Sequence, residues 1–151
     1  MDKTFFATGS RKSATAKVWL VQGGSDTVVN GKPFDTYFGR ADLVTAAMSP
    51  LKTTGSSGFG LKCQCSGGGL SAQAAAVALG AARALVAYNP ELRKALRGAE
   101  LLKRDPREKE RMKYGLAKRR KRFQWTKRYP SSNCSRRVSI SGTIRVAGTR
   151  R

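Results

Sequence analysis

Gly67-Gly68-Gly69-Leu70-Ser71-Ala72-Gln73-Ala74-Ala75-Ala76-Val77-Ala78-Leu79-Gly80-Ala81-Ala82-Arg83-Ala84-Leu85-Val86-Ala87-Tyr88 is the stretch from which the fold can be read. Three glycines open it, and the residues from about Ser71 to Tyr88 then read as one helix. Leu70, Ala74, Val77, Ala81, Leu85 and Tyr88 recur at helical spacing and define a core face. The opposite side carries Gln73, Gly80, Arg83 and Ala87. A mid-helix glycine costs about 1 kcal/mol relative to alanine. The smooth, narrow face it leaves admits close approach by a strand or by an RNA backbone.

Upstream, Phe59–Ser66 alternates as a strand does. Thr4–Thr8 and Ala14–Val21 are rich in residues favoured on a pleated surface and read as two more strands. Gly9-Ser10-Arg11-Lys12-Ser13 is the polar, basic connection between them. Gly23-Gly24-Ser25-Asp26 is a turn. Val28-Val29 is a short strand entering a tight turn at Asn30-Gly31, since both residues tolerate positive φ. Pro33–Phe38 is an irregular or helical turn. Arg40–Met48 is a short helix that Pro50 helps to end, and Gly55-Ser56-Ser57-Gly58 is a loop. Downstream, Pro90 starts a helix through about Arg97 with Asn89 as its N-cap. Asp105-Pro106-Arg107-Glu108 opens another helical turn, with Asp105 as its cap. No internal repeat is present.

Charge divides the chain unevenly. Residues 1–90 hold 9 basic and 4 acidic side chains, residues 91–128 hold 16 and 5, and residues 129–151 hold 5 and none. The first part has the balance of an ordinary domain, and the rest is a basic arm whose acids vanish after Gly115. The run Lys118-Arg119-Arg120-Lys121-Arg122-Phe123-Gln124-Trp125-Thr126-Lys127-Arg128 has seven cations, no acid and two aromatics. Self-repulsion leaves such a run disordered until a polyanion surrounds it, and the interleaved aromatics point to nucleic acid. Without a Leu or Ile stripe it has no means of entering a membrane interface. A nuclear-localisation signal is the competing use of such a run.

Other chemistry is thinly represented. The chain has no histidine, which removes the commonest general base. Cys63 and Cys65 lie two apart, on one side of a strand, and only Cys134 joins them. Zinc would need more ligands, so the cysteines read as structural and a reducing compartment is implied. No transmembrane stretch and no secretory signal is expected. The Gly67-Gly68-Gly69 run before a helix is either a tight strand-to-helix turn or a phosphate cradle. No Gly-Lys-Ser/Thr follows it, so it is not a Walker A loop. It faintly resembles the glycine-serine phosphate loop of the small-metabolite kinases that include galactokinase. Asp42 and Glu91, the nearest acids, have no motif context, and a kinase is therefore a remote rival. Arg11-Lys12, between small residues, is either solvated surface or a contact to an RNA backbone.

Four segments together resemble one family: ATGSRKSATAKVWL at 7–20, VVNGKPFDTYF at 28–38, GGGLSAQAAAVALGAARAL at 67–85 and LLKRDPREKERMKYGLAKRRKRFQWTKR at 101–128. They occur in the order found in the S-nine family of small-subunit ribosomal proteins, in its bacterial and organellar form. The resemblance implies an α+β fold: a mixed sheet with helices on one face, as in the second domain of ribosomal protein S-five, followed by an extended basic tail. It implies a structural, non-enzymatic role in the head of the small subunit, on the 3′ major domain of its rRNA, and a tail reaching peptidyl-site tRNA. An 11-residue extended run spans about 36 Å, enough for that reach.

On this reading residues 1–104 are the globular RNA-binding domain, 105–128 the arm and 129–151 an extension of unknown contact. The expected rRNA contacts in the domain are Arg11, Lys12, Lys17, the loop Gly67, Gly68 and Gly69, Gln73 and Arg104. In the arm they are Arg107, Arg111, Lys113, Lys118, Arg119, Arg120, Lys121 and Arg122. Thr126, Lys127 and Arg128 match the family's terminal Ser-Lys-Arg and are the expected tRNA contacts. Two departures stand out. Gly9-Ser10-Arg11-Lys12 replaces the family's Gly-Arg-Arg-Lys, and 23 residues follow Arg128, where the family ends. Within them Val138–Val146 alternates like a strand. The extension favours an organellar ribosome, mitochondrial or chloroplast, over a bacterial one. Neighbouring head proteins are further expected partners, and no cofactor, metal, membrane or small-molecule substrate is expected. The alternative is a free-standing basic RNA-binding or RNA-chaperone module.

Overall fold

The computed structural model describes residues 4–24, 26–56 and 58–124. Intrachain contacts separate two units, divided between Lys109 and Glu110. In the first, β1 (Thr4–Arg11), β2 (Ala14–Gln22), β3 (Thr27–Val29), β4 (Lys32–Pro33) and β5 (Phe59–Ser66) form one sheet in the order β1-β2-β5-β3-β4. Only β3 and β5 run parallel; the other neighbours are antiparallel, so the sheet is mixed. Four helices accompany it among the described residues: α1 (Phe34–Phe38), α2 (Ala41–Thr54), α3 (Leu70–Tyr88) and α4 (Leu92–Gly98).

Alternation sets which face of the sheet is covered. Ala14, Ala16, Val18 and Leu20 of β2 are buried, as are Leu61, Cys63 and Cys65 of β5. Thr15, Lys17, Lys62 and Gln64 between them point the other way and are exposed. α3 lies on the buried face, against β1, β2 and β5, and α2 and α4 pack on α3. The α+β architecture implied by the resemblance is therefore the one observed: a mixed sheet covered by helices on one side.

α3 is buried on more than the expected stripe. Ala74, Val77, Ala81 and Leu85 are in the core as expected, but so are Ala76, Leu79, Ala82 and Ala84, because sheet and helices enclose it from several sides. By length and composition α3 could cross a membrane, yet most of it is inside this core. The ends of the expected stripe, Leu70 and Tyr88, are exposed. Tyr88 meets Phe5 and Phe59 edge to face, with ring centroids 5.3 and 5.1 Å apart.

The smooth side of α3 faces a strand. A Cβ on Gly80 would stand 2.6 Å from Val18 Cγ2 and 3.3 Å from the backbone nitrogen of Gly9. A Cβ on Gly9 would stand 2.0 Å from the Ala76 carbonyl oxygen. Helix and strand backbones thus touch at a glycine–glycine crossing, which leaves no room there for RNA.

Local departures from the sequence reading have local causes. β1 continues through Gly9–Arg11 and pairs residue for residue with β2, leaving only Lys12 and Ser13 as the turn. Lys12 takes the left-handed conformation that turn requires, φ 51°. α2 runs on to Thr54 with Pro50 inside it. Proline cannot donate to the carbonyl of Ala46; the Ser49 hydroxyl donates to that oxygen instead, at 2.8 Å. α4 begins at Leu92, and the Asn89 side chain accepts from the Glu91 N–H at 3.0 Å in the bend before it. The helical turn expected at Asp105 does not form. Asp105 does accept from the backbone N–H of Arg107 at 2.9 Å, but residues 104–113 have no regular structure. Its carboxylate is held by arginine side chains rather than by a helix start.

Asn30-Gly31 makes the expected tight turn, with φ values of 50° and 80°. The Asn30 amide also extends the β3–β5 ladder. Its Oδ1 accepts from the Cys65 N–H at 2.9 Å, and its Nδ2 donates to the Cys65 carbonyl at 3.1 Å.

Candidate nucleic-acid interface

The hairpin tip at Lys12 and the glycine loop are neighbours. Gly67 and Gly68 have φ of 70° and 63°, a region that disfavours side chains. A Cβ on Gly67 would lie 2.5 Å from the Ser13 carbonyl oxygen, and one on Gly68 would lie 2.8 Å from Ala14 Cβ. Those two glycines are required by packing against the β1–β2 turn. Gly69 has open space around its Cα. The loop is thus a tight strand-to-helix connection in its first two residues and open only at the third.

Gln73 braces this loop from inside. It is 8% exposed; its Nε2 donates to the Gly67 carbonyl at 2.9 Å, and its Oε1 accepts from the Tyr37 hydroxyl at 2.8 Å. Both ends of the amide bond within the protein, so Gln73 holds the loop from inside.

Beside the hairpin tip, residues 104–108 are tied to β1. Arg11 Nη1 donates to Asp105 Oδ2, and Arg104 Nε donates to Ser10 Oγ at 2.9 Å. Arg104 also pairs with Glu108 at 2.8 Å. Asp105 is shared, because Arg107 donates to it through Nε and Nη2, the latter at 2.7 Å. The Arg107 guanidinium and backbone N–H, with Arg11 behind them, hold the Asp105 carboxyl well below the usual carboxylate range. Arg11, Glu100, Lys103, Arg104, Asp105 and Arg107 line a depression of about 480 Å3 here, with four cations against two acids. Of the cations expected in the domain, Arg11 and Arg104 are paired. Lys12 and Lys17 are exposed and have no carboxylate partner among the described residues.

The second unit is described as far as Gln124, and it has local order that charge repulsion alone would forbid. Glu110 gathers it. Lys113 Nζ lies 2.6 Å from Glu110 Oε1, Arg120 Nε lies 2.8 Å from Oε2, and Arg119 Nε donates to the Glu110 backbone carbonyl. Leu116 forms a bridge with Arg122, and the Ala117 N–H donates to the Lys121 carbonyl at 2.9 Å. Over these residues one acid, Glu110, reaches ten positions forward to Arg120. Lys118, Lys121 and Arg122 remain exposed, as does Arg111. Thr126, Lys127 and Arg128, and the alternating segment Val138–Val146, lie outside the described residues.

Hydrogen bonds from Lys113 and Arg120 bring the Glu110 carboxyl down to about 2 from 4.5. Because the folded value is depressed, the local order it supports is complete above the ordinary carboxylate range and is lost as pH falls through about 2. Amide chemical shifts of residues 116–122 are expected to stay constant from neutral pH to about 4.5 and to move toward coil values as pH falls from there through about 2. Glu110→Gln should give the coil values already at neutral pH.

Cys63 and Cys65 are buried in the core cluster. Burial pushes their thiols up to about 12 and about 11, so both stay protonated and behave as small apolar residues. Sequence reading alone identified neither Asp105 as the anchor for Arg11 nor Glu110 as the organiser of the arm. The available signal was that each is an acid inside a strongly basic stretch.

A family model described as ribosomal protein S9/S16 matches residues 9–128. The small ribosomal subunit protein uS9 of Maridesulfovibrio salexigens is 47% identical over 130 residues, which cover 85% of this chain and 100% of that protein. The proteins of the same name in Aquifex aeolicus and Synechocystis sp. are 44% and 48% identical, over 84% and 82% of this chain and 92% of each relative.

Proposed function

The chain belongs to the ribosomal protein S9/S16 family, and from that premise we propose that its basic surface binds small-subunit rRNA and its arm reaches peptidyl-site tRNA. As a member of the family it is a structural constituent of the small ribosomal subunit and not an enzyme. The finer roles rest on charge and placement. Residues 1–104 dock on the 3′ major domain of the rRNA in the subunit head, beside neighbouring head proteins. Residues 105–128 run through rRNA as an arm.

One observation carries the docking reading: Lys12, a cation with no carboxylate partner among the described residues, stands on a hairpin tip packed against the glycine loop, whose open member Gly69 precedes the N-terminus of α3. A phosphate there would meet a lysine and a helix N-terminus together. Arg111, Lys113, Lys118, Arg119, Arg120, Lys121 and Arg122 serve the arm. Its contacts are expected to be to phosphates and RNA shape rather than to base identity. Gln73 and Arg11 support the surface from within, through Gly67 and Asp105. Residues 129–151 lie beyond the family match and have no assigned contact. The relatives above are bacterial, so they lend no support to an organellar ribosome over a bacterial one. The free-module alternative has no observation in its favour.

Deleting residues 126–151 tests the tRNA contact. Small subunits reconstituted with the truncated chain are expected to assemble normally. They should bind peptidyl-site tRNA about tenfold more weakly or worse, the scale of losing one charge-assisted hydrogen bond. Filter binding measures the affinity and sedimentation the assembly; unchanged affinity removes the tRNA role.

A further inference from the structure

The face of the sheet turned away from α3 carries a pattern that the docking surface above does not use. The register places Phe6, Trp19, Lys62 and Val28 side by side across β1, β2, β5 and β3. The next row is Thr8, Lys17 and Gln64, and the one beyond it Ser10, Thr15 and Ser66. Phe6 is 53% exposed, and its ring centroid is 5.3 Å from that of Trp19 with the planes tilted by 42°. Two depressions adjoin these rows. Trp19, Val28, Asn30, Lys62 and Gln64 line one of about 590 Å3. Thr15, Lys17, Asn30, Gln64 and Ser66 line another of about 240 Å3. No carboxylate lines either, and neither Lys17 nor Lys62 has an acidic partner among the described residues.

We propose that this open face is a second RNA surface, distinct from the hairpin tip, that takes a single-stranded segment with one unpaired base stacked on the Phe6–Trp19 pair. The inference rests on the reading that the chain works on rRNA. Each base offers a flat apolar surface that an exposed aromatic can cover. The flanking phosphates need cations about one nucleotide away, and Lys62 and Lys17 stand in the same row and the next. Polar Thr8, Thr15, Gln64 and Ser66 can donate to or accept from base edges or 2′-hydroxyls. A protein partner would call for a wider apolar patch. Here the aromatic pair is bordered on one side by polar rows, and the charge lining both depressions is of one sign.

Trp19 is its own reporter. The chain has two tryptophans, so Trp125→Phe in the full-length protein leaves Trp19 as the single emitter. The probe is a transcript of the rRNA 3′ major domain. Binding is expected to quench Trp19 emission, and ultraviolet irradiation should crosslink Trp19 or Phe6 to RNA. Phe6→Ser with Lys62→Glu should remove most of the quenching and weaken binding about tenfold, with an unchanged circular dichroism spectrum. Unchanged Trp19 emission at saturation, while Lys12 and the arm still crosslink, overturns the sheet-face site and leaves the docking reading intact. A crosslink from Trp19 to another ribosomal protein in assembled subunits overturns it in favour of a protein contact. Failure of the transcript to bind at all overturns both readings.

Discussion

Gly9→Ala is expected to unfold the domain or to lower its stability by about 3 kcal/mol or more. A methyl group there has nowhere to go. It would stand 2.0 Å from the Ala76 carbonyl oxygen and 2.6 Å from the Gly80 nitrogen, both backbone atoms of α3. Relief requires moving the helix off β1, and the same helix also covers β2 and supports α2 and α4. A small domain has only about 5–15 kcal/mol in total, so a shift of that kind takes a large share. Gly98→Ala is the control. It adds the same methyl at the last residue of α4, where no atom lies within 4 Å, and should be neutral or stabilising by up to about 1 kcal/mol. Urea denaturation of the two variants against the parent chain measures the difference. Similar midpoints for both would refute the tight crossing.

The glycine crossing shows how far the sequence could be read. Gly80 in an alanine-rich helix signalled that something comes close, but the partner was set by topology. Gly9 lies 71 positions away, and nothing local marks it as the other half. Strands with strict alternation, such as Ala14–Gln22 and Phe59–Ser66, were legible because every second side chain is buried under one helix. Asn30-Gly31 was legible because few other residues accept two successive positive φ values. Pro50 misled, since its usual meaning as a stop is overridden by its burial and by the Ser49 hydroxyl. Asp105-Pro106 misled for a related reason: a capping signature loses its helix when arginine side chains, Arg107 close by and Arg11 from β1, claim the carboxylate. On the candidate interface, the abundance of cations was plain from composition. Which of them are free was not, because pairing such as Arg11 with Asp105 joins residues 94 apart. The open sheet face escaped notice since Phe6, Trp19 and Lys62 become neighbours only through the register.

Truncation after Lys109 should have the largest effect on RNA binding. Residues 110–151 hold 14 of the 30 Lys and Arg side chains and one of the nine acids, so the remaining chain has a net charge of +8 in place of +21. The cut falls between the two units, and residues 1–109 keep the whole sheet, all four helices and the Arg11–Asp105 pair. The truncated chain is therefore expected to fold and to retain its thermal transition. If half of the lost cations meet phosphates, about seven counterions are no longer released on binding. The slope of log K against log salt should then be shallower by about 5–6. At low salt the affinity for an rRNA transcript should fall by about three orders of magnitude or more, and the difference should shrink as salt rises, because the lost term is electrostatic. A salt titration of both chains separates this from a folding defect, which would lower affinity without changing the slope in proportion. Lys12→Glu in the truncated chain supplies the complementary measurement. With the arm gone, the hairpin tip and glycine loop carry a larger share of the remaining contacts, but separate contacts add in free energy, so the substitution should weaken binding by about the same factor there as in the full-length protein. Equal factors in both backgrounds would mean that the tip binds independently of the arm, and no effect in either would take the tip out of the rRNA interface.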